Sequence, residues 1–99
     1  MSNPTYSLTG IKAQVNQLGY QAFSSAAIQG IHKLQMLTHE AIDVINGITP
    51  TMFYKTMPSE IFAGQYQDVY RAISPNGIPL YVKFSLGPKG SVVISFKGL

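Results

Sequence analysis

The hydrophobic period of this chain changes once, and that change limits the folds open to it. Up to about Pro58 the apolar residues recur at helical spacing; from Gln67 onward they alternate. The clearest alternation runs from Ile78 to Leu86. There Ile78, Leu80, Val82, Phe84 and Leu86 point one way, and Tyr81, Lys83 and Ser85 the other. Gln67 to Ile73 reads as a strand before it. Ser91 to Lys97 reads as a strand after it, with Val92, Ile94 and Phe96 on one face and Val93, Ser95 and Lys97 on the other. Pro75-Asn76-Gly77 and Gly87-Pro88-Lys89-Gly90 are the turns. Short loops between consecutive strands predict an antiparallel meander.

The first half reads as helices. Ser7 is an N-cap, Leu8, Ile11, Val15 and Leu18 form an apolar stripe, and Gly19 closes the helix. A second helix is expected from about Ser24 to Leu34, with Gly30 as an unfavourable residue inside it. Thr38 is expected to cap a third, with Glu40 in its first turn and Asn46-Gly47 at its end. Thr49-Pro50 starts a short helical turn that would carry Met52, Phe53 and Met57 and stop at Pro58. One face of the meander is apolar, so the helices should pack on it. The expectation is a single α+β domain over residues 1–99, two layers deep, with N-terminal helices on a small C-terminal antiparallel sheet.

Composition excludes several classes. Hydrophobic residues are 45% and charged residues 11%, which is not a disordered composition. With no cysteine, disulfides, cysteine-based zinc sites and thiol catalysis are out; with only two histidines besides, neither a metal site nor a cofactor is expected. No stretch approaches the roughly 20 apolar residues of a membrane span, and the Met-Ser-Asn-Pro start does not read as a signal peptide. The expected location is the cytoplasm. The net charge of +3 leans toward an anionic partner, and five of the seven Lys and Arg fall in residues 55–97, with most of the strand-like sequence.

If the apolar set faces the helices, the complementary set, including Tyr81, Lys83, Ser95 and Lys97, faces water. The parity of the first strand is open; if Gln67 and Arg71 share that face, it carries an amide, a phenol and three or four cations. Lys55, from the short helix before the sheet, would reach its rim. Such a surface suits RNA: cations meet phosphates and a tyrosine ring stacks on a base. RNA cleavage needs no metal in principle, because the 2′-hydroxyl already stands beside the phosphorus. The enzyme orients it, moves protons and stabilises the charge that develops. Taken alone, polar alternation on a sheet face usually means only that the face is solvated.

Four clusters sharpen the reading: Phe53-Tyr54-Lys55-Thr56-Met57, Gln67-Asp68-Val69-Tyr70-Arg71, Tyr81-Val82-Lys83 and Ile94-Ser95-Phe96-Lys97. In order and separation they resemble the MqsR family of toxins from type II toxin–antitoxin systems, closely over residues 53–97 and more loosely over 1–52. The resemblance implies a fold related to the RelE-like ribonucleases. It implies cleavage of mRNA at short GC-containing sites without metal, and inhibition by a cognate antitoxin that is typically zinc- and DNA-binding. It also implies site residues. The lysine of the family's Phe-Tyr-Lys motif matches Lys55, and the glutamine before Asp-Val-Tyr-Arg matches Gln67. The tyrosine of its Tyr-x-Lys strand matches Tyr81, and the lysine of its Ser-Phe-Lys ending matches Lys97. Lys55 and Lys97 would neutralise the scissile phosphate, Tyr81 would transfer protons or stack on a base, and Gln67 would position RNA. Arg71 and Lys83 are further candidates for phosphate contact, although Arg71 has Asp68 as an alternative partner. The free toxin is expected to be a monomer.

The N-terminal half departs from the family in having only Lys12 and Lys33 as basic residues. His32 and His39 fall in the helical half and read as surface or helix-packing residues. Met36, Met52 and Met57 read as core filler, and Tyr54 and Tyr70 as core tyrosines whose hydroxyls find partners. Asp43 and Glu60 have no partner that the sequence identifies. Two other functions compete: a binding module for RNA or protein that keeps the fold without turnover, and a ribosome-dependent RelE-like nuclease. Retention of Lys55, Gln67, Tyr81 and Lys97 favours the enzyme over the first, and cleavage of naked RNA would distinguish it from the second.

Overall fold

The computed structural model describes residues 4–23, 25–59, 63–86 and 92–98. Among the described residues, three α-helices, α1 (Leu8–Leu18), α2 (Ser25–Lys33) and α3 (Thr38–Asn46), precede four strands, β1 (Phe53–Pro58), β2 (Tyr66–Ile73), β3 (Pro79–Leu86) and β4 (Val92–Gly98). The strands form one antiparallel sheet in the order β1-β2-β3-β4. This is the α+β arrangement that the change of period predicts.

The helical half holds together by a few specific contacts. The Ser7 hydroxyl accepts from the Gly10 amide at 3.2 Å, and Gly19 ends α1 with φ +61°, where a side chain would be strained. Lys12 donates from α1 to the carbonyls of Asn46 and Ile48 at 3.0 and 2.6 Å, placing a cation at the carbonyl end of α3. Asn16 and Asn46 exchange side-chain amide hydrogen bonds at 2.8 and 3.1 Å beside it. The third helix is capped differently from expectation. Leu37, not Thr38, is the N-cap; its side chain has no acceptor, and the Glu40 carboxylate accepts the Leu37 amide at 2.8 Å instead.

Gly30, unfavourable by propensity, is required by packing. A Cβ there would lie 2.8 Å from the Phe96 carbonyl oxygen, so α2 approaches the backbone of β4 as only glycine allows. Ala27, Ile31, Ile45, Ile48, Leu80, Val82, Phe84 and Ile94 form the buried interface between the layers. Phe23 bridges to Ile94 at the β4 edge and meets the Phe96 ring edge-on at 5.7 Å.

Two polar groups sit on the buried side of β2. The Asp68 carboxylate accepts from the Thr5 and Tyr6 amides at 2.9 and 2.8 Å and from the Thr56 hydroxyl at 2.8 Å. Three donors satisfy a buried carboxylate and tie the N-terminal segment to the sheet. Arg71 therefore does not pair with Asp68, which faces the opposite side. Tyr70 is a core residue as expected, but its hydroxyl finds no hydrogen-bond partner among the described residues. Burial first, and the Asp68 charge second, raise its pKa, so this phenol stays neutral.

The sheet starts earlier than the sequence predicts. Only Pro50–Met52 is a helical turn; Phe53–Pro58 is a fourth strand, paired with β2. Lys55 lies on this edge strand and not on a helix. The turn at Gly87-Pro88-Lys89-Gly90 lies outside the described residues, as do Ser24 and Glu60.

The close approach of α2 to β4 yields a stability test. Alanine at position 30 would gain about 1 kcal/mol of helix propensity, yet the Phe96 clash should make Gly30→Ala destabilising overall, by about 1–3 kcal/mol. Urea unfolding measures this, and a stabilised variant would contradict the packing.

Candidate active site

The outer face of the sheet is organised by one irregularity in β1. Phe53 pairs with Tyr70 and Lys55 with Val69, so one extra residue, Tyr54, is accommodated between two adjacent positions of β2. Phe53 turns inward, where its ring meets Tyr70 edge-on at 5.5 Å. After the bulge, Tyr54 and Lys55 are both exposed on the side away from the helices.

Tyr54 lies nearly parallel to Tyr81, with centroids 5.7 Å apart and ring planes 16° from parallel. The Arg71 guanidinium carbon lies 3.9 Å from the Tyr54 ring centroid and 5.9 Å from that of Tyr81. Lys55 Nζ is 5.3 Å from the Tyr54 ring. Arg71 is exposed and has no carboxylate partner among the described residues. Two rings and two cations thus converge from three strands. Tyr54 was not among the residues the sequence singles out for chemistry. It is 43% exposed and not the core tyrosine expected, because Phe53–Pro58 is an edge strand and not part of a helical turn, and Tyr54 lies on the face opposite Phe53.

The register aligns the remaining candidates. Arg71 pairs with Tyr81, and Tyr81 with Lys97. Lys55 pairs with Val69, Val69 with Lys83, and Lys83 with Ser95. The Lys97 side chain lies outside the described part of the structure. Tyr81 and Lys83 are half-buried. Gln67 departs from expectation: it belongs to this face by register but is only 1% exposed. Met57 and Ser85 are its cross-strand neighbours, close enough to cover a side chain lying among them, and its carbonyl oxygen accepts from the Ser85 hydroxyl at 3.5 Å. Gln67, Val69 and Ser85 are buried residues of this face, below the exposed Tyr54, Lys55 and Arg71.

His32 and His39 are both exposed on the helical half. Among the described residues, no group of three metal-ligating side chains occurs and no helix is long and apolar enough to cross a membrane.

The match that decides the family covers almost the whole chain: the family model described as motility quorum-sensing regulator, toxin of MqsA, matches residues 3–98. The chain belongs to the MqsR toxin family. It is accordingly a toxin of a toxin–antitoxin system, and an antitoxin is its partner. Among curated proteins, no relative matches. In this MqsR-family chain the match extends over the N-terminal helices, where the sequence resemblance was loose.

Because the Tyr54–Arg71–Tyr81 group stands at the surface, it should contribute little to folding. Exposed cation–π contacts are worth about 0.5–1 kcal/mol. Tyr54→Ala and Arg71→Ala should each lower unfolding free energy by no more than about 1 kcal/mol in urea titrations. A loss of several kcal/mol would make the group a structural element.

Proposed function

We propose that this toxin is an endoribonuclease that cleaves mRNA in the cytoplasm at short GC-containing sites without a metal ion. The observation that carries the reading is the convergence of Tyr54, Tyr81, Arg71 and Lys55 on one exposed sheet face. Tyr54, exposed beside the nearly parallel Tyr81 ring, offers an aromatic surface to an unstacked base, and the cations beside it meet the phosphates on either side.

The reaction we assign is attack of the ribose 2′-oxygen on the adjacent phosphorus. The O2′–P bond forms, the P–O5′ bond breaks, O2′ loses a proton and O5′ gains one, leaving a 2′,3′-cyclic phosphate and a 5′-hydroxyl. The protein has three tasks: alignment, proton transfer and stabilisation of the equatorial oxygens. Lys55 and Lys97 supply positive charge to the phosphate, and Tyr81 exchanges a proton or holds the base. Arg71 and Lys83 bind flanking phosphates. Gln67, buried beneath them, acts as a positioning residue whose amide fixes the floor through Ser85. The toxin acts as a monomer until an antitoxin, of the zinc- and DNA-binding kind, occupies it.

Naked RNA in excess EDTA tests this reading. The wild type should cut selectively and leave cyclic phosphate ends, and Lys55→Ala should cut about 100-fold more slowly, the scale of losing one transition-state charge partner. A folded wild type that leaves naked RNA intact would contradict it.

A further inference from the structure

A cavity of about 630 Å³ opens at the end of β2, beside the proposed reacting face. It exists because β1 starts opposite Tyr70 while β2 continues to Ile73. Residues 71–73 therefore pair with β3 on one side and have no strand on the other, where the chain runs through the turn Pro50–Met52. Val44, Met52, Ile73 and Pro79 supply apolar walls, and Asp43 and Arg71 supply charge. The volume falls within the range of small-ligand sites.

Arg71 connects the cavity to the reacting face, since it lines the cavity while its guanidinium lies against the Tyr54 ring. Asp43 has no evident structural reason to be there. It is exposed, it lies near the carbonyl end of α3 where the helix dipole disfavours negative charge, and it has no ion-pair partner among the described residues. In a chain of net charge +3, a carboxylate in this position repels phosphate and accepts hydrogen bonds.

We propose that this cavity is a base-selecting subsite for the nucleotide next to the scissile phosphate, an inference that rests on the ribonuclease reading. The phosphate lies on Arg71, the base lies against Val44, Met52 and Ile73, and the Asp43 carboxylate accepts from an exocyclic amino group. A carboxylate offers only acceptors. It therefore favours amino-bearing bases over uracil, whose single N–H is flanked by two carbonyl oxygens.

The test is cleavage of an RNA pool randomised around the cut, read by sequencing the ends. At one flanking position the wild type should discriminate against uracil by about tenfold, the scale of one well-placed base contact. Asp43→Ala should still cut and lose that discrimination, and Asp43→Asn, whose amide also donates, should admit uracil. Asp43 is exposed, and circular dichroism melts would show that both variants fold. Identical profiles for wild type and Asp43→Ala would overturn the subsite and leave the ribonuclease standing, as would a wild type with no flanking preference. A folded Asp43→Ala protein that cuts nothing would also overturn it. A wild type that cuts no RNA would overturn both.

Discussion

One extra residue in the edge strand decides which side chains of β1 join the outer face. Period-2 alternation would send Phe53 inward, Tyr54 outward and Lys55 inward again. The bulge keeps Phe53 against Tyr70 and leaves both Tyr54 and Lys55 outside. It thereby sets an aromatic ring and an ammonium group side by side, within reach of Tyr81 and Arg71 from the next two strands. Without it Lys55 would face the core, and the outer face would lack the ammonium group that stands beside Tyr54. Bulges recur at sheet edges beside functional sites because they re-aim side chains at little cost to pairing.

The rest of the molecule holds that sheet in place. Lys12 serves the end of α3 and is thereby committed to the helical layer. The scarcity of cations in the N-terminal half reflects a division of labour: the helices supply the core and the sheet supplies the charge. Asp68 fastens the N-terminal segment to β2 from the buried side, directly behind the outer face. Gly30 lets α2 sit close enough to β4 to cover the sheet. The outer face thus rests on a buried core to which helices, N-terminal segment and sheet all contribute.

The legible parts of the sequence were those with an unbroken period. Alternation from Ile78 to Leu86 placed β3 within a residue, and helical spacing with Ser7 and Gly19 placed α1 at its observed bounds. The Phe-Tyr-Lys segment misled for a physical reason, because a bulge erases period 2 and the flanking Pro50 and Met52 do form a helical turn. Residue matching to the family singled out Lys55, Gln67, Tyr81 and Lys97, but the role of Tyr54 emerged only from the bulge geometry. Parity leaves the face of Gln67 open, and register with Ser85 settles it; its burial depends on cross-strand neighbours such as Met57 that come from the unrecognised strand. Thr38 was a reasonable cap by residue type, and Glu40 reaching back to Leu37 displaced it.

Backbone amide chemical-shift mapping would show whether RNA engages the outer face of β1, β2 and β3. The wild-type toxin would be titrated with an RNA whose 2′-hydroxyls are methylated, so that it binds without being cut. The largest shifts are expected at Tyr54, Lys55, Arg71 and Tyr81, with α1 and α2 unmoved. Shifts centred on the helical layer, with that face silent at saturating RNA, would contradict it.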